Sequence, residues 1–130
     1  MLGSLSTVAI LLWGFAPHIP QLRRAVPAAR RVDQLETFWA EGHRLANELV
    51  ETIEDLPHWL KAQENWYAQV GDWIERHLSK VEAERFRRPD MQSVSFELAQ
   101  NDQHNHRLML LSAELPELIR LRDEQQAKLR

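Results

Sequence analysis

The chain has 130 residues, no cysteine and a formal net charge of −3 from 16 basic and 19 acidic side chains. That length suits one small domain. The missing thiols exclude disulfides, zinc–thiolate centres and cysteine nucleophiles, and the excess of acid speaks against nucleic acid as a partner.

Residues 1–22 carry no Asp, Glu, Lys or Arg, and the stretch 5–16 is almost entirely apolar. Arg23, Arg24, Arg30 and Arg31 follow, with no acid before Asp33. An uncharged run closed on one side by arginines predicts a single membrane helix over residues 1–22, with its N-terminus outside and the body of the chain in the cytoplasm. Pro17 and Pro20 fall near the end of that anchor, where freed carbonyls reach head groups. Residues 23–31 then read as a cationic linker, the one stretch suited to anionic lipid. Two other readings of the apolar run are a signal peptide, to which the small residues after Arg24 would supply a cleavage site, and a buried helix of a soluble protein.

From Val32 onward 12 basic residues face all 19 acids, so residues 32–130 have a formal charge of −7. Val32, Leu35, Phe38, Trp39, Gly42, Leu45, Leu49 and Ile53 recur at three and four residues, which predicts a helix over 32–54 with one apolar stripe. Pro57 ends it and opens a second helix over 58–78, whose stripe is aromatic: Trp59, Trp66, Val70, Trp73 and Ile74. The short connection between them favours an antiparallel pair. Leu35, Trp39, Leu45 and Leu49 should therefore meet Trp66, Val70 and Trp73. Gly42 and Gly71 cost helix propensity, and a close approach of another helix or a tryptophan ring is the expected compensation.

Ser79 followed by Glu82 has the spacing of a capping box, so a short helix should start there and carry Val81 and Phe86 into the core. Residues 88–90 make a turn. Residues 93–98 alternate as a strand would, but no second strand is available, and they are read as the start of a helix. Leu108, Leu111, Leu115, Leu118 and Leu129 keep one heptad phase on both sides of Pro116. That predicts a continuous, kinked C-terminal helix.

Chemistry-bearing patterns are sparse. Four isolated glycines cannot build a phosphate-cradling loop. Asp102, His104 and His106 form the best apparent metal cluster, yet His104 should point away from the other two, and all three read as solvated surface. His43, His58 and His77 read as rim residues, and Glu36, Glu41, Glu48, Glu51 and Glu54 as a solvated helix face without an acid and base pair. Arg85, Arg87 and Arg88 are too few against the acidic remainder to make a nucleic-acid site. Trp39, Trp59, Trp66 and Trp73 read as core, with a groove for an amphipathic partner helix as the functional alternative. No catalytic, cofactor-binding or metal-binding residue is assigned.

Leu35, Phe38, Glu41, Gly42 and Leu45, followed by Trp66, Val70, Trp73, Ile74, Leu78 and Phe86, form a pattern that resembles small uncharacterised bacterial proteins with a helical domain behind an N-terminal apolar segment. The likeness spans residues 32–86. It implies a membrane-anchored helical domain and brings no activity with it.

The expectation is thus an all-α protein: an anchor over residues 1–22, a linker over 23–31 and an antiparallel bundle of three or four helices over 32–130. Its role would be a protein-interaction or scaffold module at the cell membrane, facing the cytoplasm, with no cofactor and no enzymatic activity. Its partners would be the bilayer and an unidentified protein, with a homo-oligomer possible. The alternatives are a soluble helical adaptor or homo-oligomer whose apolar N-terminus packs into a core or interface, and a membrane-associated enzyme.

Overall fold

The computed structural model describes the backbone of residues 20–130 and the side chains of residues 27–130. Four helices follow one another: α1 (Pro20–Asn47), α2 (Leu56–His77), α3 (Lys80–Arg87) and α4 (Asp102–Ala127). There is no strand among the described residues.

α1 buries Ala28, Val32, Leu35, Phe38 and Leu45, the three-and-four spacing that turns one helix face inward. Its start corrects the expected linker, because residues 23–31 are the early turns of α1 and Pro27 lies inside it. Pro20 heads the helix, where a missing N–H costs nothing, and burial of Ala28 and Val32 offsets the bond lost at Pro27. Pro20, Gln21 and Leu22 of the expected anchor therefore belong to α1. The rest of that anchor lies outside the described residues. Among the described residues no helix is long and apolar enough to cross a membrane.

The end of α1 is corrected as well. It stops at Asn47, seven residues before Glu54, where Asn47 Nδ2 donates to the His43 carbonyl at 2.8 Å and Glu48 N–H tightens onto Leu45 at 3.3 Å. Thr52 Oγ1 then donates to the Asp55 carboxylate at 2.9 Å in the connecting turn. Leu49 and Ile53 are consequently exposed instead of joining the core, and only Val50 turns inward.

α2 follows the expected bounds closely, with Pro57 in its first turn. Trp59 Nε1 donates to the Leu45 carbonyl at 3.0 Å, and Trp66 Nε1 to the Phe38 carbonyl at 2.9 Å. Seven residues forward in α2 match seven residues backward in α1, so these two bonds fix an antiparallel register. Trp59 and Trp66 are buried, while Trp39 and Trp73 are half-buried against the same core.

Gly42 lies under Trp66, and a Cβ there would run into the indole and come within 2.8 Å of Leu115 Cδ2 on α4. A tryptophan ring is thus the expected compensation at Gly42. At Gly71 the neighbour is instead the Arg87 side chain, with Nε 2.9 Å from a Cβ position. The two glycines should respond differently to alanine. Gly42→Ala gains about 1 kcal/mol of helix propensity but overpacks a buried ring, for a net loss of about 1–2 kcal/mol. Gly71→Ala should be neutral or stabilising, since a long arginine can swing aside. Urea midpoints of the two variants would give this order, and the reverse order would refute the packing described.

α3 opens at Ser79, whose Oγ accepts from Glu82 N–H at 3.1 Å. Only half of the capping box forms, because the Glu82 carboxylate turns away to Arg120 on α4. Ala83 and Phe86 face the core, which leaves Val81 on the opposite side at 69% exposure. That corrects its expected burial.

Residues 88–101 contain no helix, so the helix expected to begin at 93–98 is absent. Asn105 of α4 explains why. Its Oδ1 accepts from Phe96 N–H at 2.7 Å and its Nδ2 donates to the Val94 carbonyl at 2.8 Å. One side-chain amide takes the place of a neighbouring strand and satisfies the backbone without regular structure.

α4 runs unbroken through Pro116 as expected and makes its most extensive contacts with α1. Leu108, Leu111, Leu118 and Leu121 are buried and Leu115 is half-buried; Leu129 lies beyond the helix and is exposed.

Candidate functional site

Three places concentrate polar groups that the packing alone does not require. The first is inside the bundle. Gln63 and Tyr67 stand one turn apart on α2, and Arg107 and Glu114 two turns apart on α4. Arg107 Nη1 donates to Gln63 Oε1 at 3.2 Å. Tyr67 Oη donates to the Arg87 carbonyl at 3.0 Å. Glu114 is fully buried, and neither carboxyl oxygen has a hydrogen-bond partner; Gln63 Nε2 is equally orphaned. Burial pushes the Glu114 carboxyl up to about 9, with the Arg107 charge opposing only part of the effect. Glu114 therefore holds its proton at neutral pH. Burial, then the Glu114 charge, also push Tyr67 up. Neither of the clefts described below is lined by Glu114.

The second place is His104. It is buried, against the expectation that it lies on a solvated surface, whereas Asp102 and His106 are exposed. His104 Nδ1 accepts from Gln100 N–H at 2.9 Å, and its ring meets Trp59 edge-on at 4.7 Å. With Nδ1 an acceptor, the neutral ring carries its proton on Nε2, which has no partner. Burial lowers the pKa of the ring and keeps it neutral. Asn101, at the N-cap, turns the chain there by accepting from His104 N–H at 2.8 Å. No group of three metal-ligating side chains occurs among the described residues.

The third place lies beside His104. A groove of about 430 Å³ runs between the end of α1 and residues 95–98, with His104 and Leu108 of α4 also lining it. Leu49 and Leu98 on its walls are 56% and 69% exposed. Both walls are tied down. Gln100 Nε2 donates to the Val50 carbonyl at 2.7 Å, and Asn105 holds the opposite wall through Val94 and Phe96. Glu48 and Glu97 also line the groove, Glu48 sharing its charge with Arg44 at 3.2 Å.

The other histidines and the basic run 85–88 are accounted for by their neighbours. His43 stacks on Trp39 and His77 tilts against Trp73, each one turn apart, while His58 is exposed. Arg87 is engaged by Asp72, Glu75 and Glu84, and Arg85 and Arg88 lie within 4.0 Å of Glu82 and Glu84. The basic run 85–88 is thus largely neutralised by neighbouring acids. Glu114 was not singled out by sequence reasoning, although its place between Leu111 and Leu118 puts it on the buried stripe.

The sequence matches no protein-family model, and neither curated proteins nor solved structures show significant similarity to it.

Proposed function

We propose that the chain is a helical protein-interaction module whose docking surface is the groove between residues 46–50 and 95–98, tethered to a membrane by residues 1–22 and facing the cytoplasm. The observation that carries the docking surface is the pair Leu49 and Leu98, large apolar side chains left in water on backbone held by Gln100 and Asn105. A fixed apolar surface is the form a hot spot takes, because little ordering entropy remains to oppose binding. Glu48 and Glu97 select the partner, a peptide segment with one or two large apolar side chains flanked by lysine or arginine. The tether is supported by the uncharged residues 1–22 and the four arginines that follow.

Fluorescent peptides with a Leu-Leu centre and either lysine or glutamate flanks, titrated into the full chain in neutral detergent, test the docking surface. The lysine-flanked peptide should bind, and Leu49→Glu with Leu98→Glu should weaken it by about tenfold or more without lowering the melting temperature. Equal binding of both peptides, or an unaffected double variant, would remove the groove as the docking site.

A further inference from the structure

At the other end of α1, a cleft of about 280 Å³ separates its early turns from the C-terminal end of α2. It is lined by Pro27, Arg30, Arg31, Gln34, Trp73 and His77. No carboxylate lines it, in a chain with 19 acids. Gln34 stands one turn from Arg30 and Arg31, so these side chains share one stretch of the α1 surface. Across from them Trp73 and His77 are one turn apart, with ring centroids at 5.1 Å, and Trp73 is braced edge-on against Phe38 at 5.6 Å.

Two of the lining residues have donors with no partner among the described residues. The indole N–H groups of Trp59 and Trp66 go to backbone carbonyls, but that of Trp73 has no acceptor among the described residues. Arg31 likewise makes no ion pair among the described residues, whereas Arg44, Arg87, Arg120 and Arg122 each reach a carboxylate within 3.2 Å. The negative end of the α2 dipole, about half a charge, opposes an anion here and is outweighed by two guanidinium groups. Planar guanidinium forks suit the paired oxygens of a phosphate.

We propose that this cleft is a phosphate-ester site, in which Arg30 and Arg31 clasp the anion while Gln34, His77 and the Trp73 indole N–H complete its hydrogen bonds. Such an ester comes from a phospholipid head group or from a soluble phosphate. The site does not depend on the docking groove, and its lipid source rests on the tether proposed for residues 1–22. A cleft for head groups a few turns after an uncharged segment would seat the bundle against the bilayer surface, with Trp73 in the interfacial position that tryptophan favours.

The test uses the full chain in two arms, with variants checked for helicity by circular dichroism. In the first, glycerophosphate is titrated into the chain in neutral detergent while the indole N–H resonance of Trp73, assigned with Trp73→Phe, is followed by NMR. In the second, the chain is floated with vesicles of phosphatidylcholine alone and of equal parts phosphatidylcholine and phosphatidylglycerol. The Trp73 resonance should move with glycerophosphate or, where only lipid supplies the ester, with phosphatidylglycerol added to the detergent. Arg30→Lys with Arg31→Lys keeps the charge but loses the fork, and should weaken that response about tenfold. The matching glutamine pair should abolish it and remove the preference for phosphatidylglycerol vesicles.

A lysine pair that behaves as wild type means diffuse charge attraction and overturns the site, as does a Trp73 resonance that moves with neither ligand. Flotation with phosphatidylcholine alone reports the tether separately. A chain that floats there without a Trp73 response keeps the tether and loses the cleft. A chain that stays down but responds to glycerophosphate loses the tether and keeps it.

Discussion

Glu114→Gln should flatten the stability of this protein between pH 5 and 9, where the wild type should lose several kcal/mol. The carboxyl titrates near its ordinary 4.5 in the unfolded chain and at about 9 when buried in the fold. Between those values the native state holds a proton that the unfolded chain has released. A raised folded pKa gives stability that is fully present below the unfolded pKa and is lost as pH rises toward the folded one. At about 1.4 kcal/mol per pH unit, roughly 3 kcal/mol is lost between pH 4.5 and pH 7, and about as much again before pH 9. That is comparable with the whole stability of a small domain. Glutamine has the shape of the protonated acid and no proton to lose, so its urea midpoint should stay level where that of the wild type falls. Glu114→Leu should go further and stabilise the fold at neutral pH, because it removes two orphaned oxygens as well. Parallel pH profiles for Glu114→Gln and wild type would show that Glu114 is hydrated or paired in solution.

Trp66→Ala should cost about 3–5 kcal/mol and unfold much of the population at room temperature. The ring fills the space over Gly42, meets Phe86 edge-on at 5.7 Å and donates to the Phe38 carbonyl, so its loss opens a cavity where α1, α2 and α4 meet. Trp73→Ala removes a half-buried ring with no hydrogen bond among the described residues, and should cost only about 1–2 kcal/mol. Chemical denaturation of the pair would settle their order. Equal losses would mean that Trp73 is as deeply packed as Trp66.

The features legible in the sequence are those fixed by local chemistry. Pro57 starts α2, the Ser79 hydroxyl caps α3, and an unchanged leucine phase carries α4 through Pro116. The tryptophan over Gly42 was legible too, because a glycine inside an apolar stripe needs something large above it. What escaped depended on partners far along the chain. The turns of α1 before Val32 are kept by packing of Ala28 despite Pro27, and the apolar stripe continued past Asn47 although the backbone did not. Residues 93–98 form no helix because the Val94 carbonyl and the Phe96 N–H go to the side chain of Asn105, which no periodicity reveals. His104 and Glu114 look like surface residues by type, and only their register on α4 places them inside. The groove escaped with the end of α1 and with residues 93–98, since its walls are the unwound end of α1 and the irregular stretch before α4.

Hydrogen exchange of the full chain, with and without the lysine-flanked Leu-Leu peptide, tests the docking surface most directly. The account predicts slower exchange at the amides of residues 46–50 and 94–98, with the outer faces of α2 and α3 unchanged. Protection confined to α2 or α3, or no change at 94–98 under saturating peptide, would contradict it.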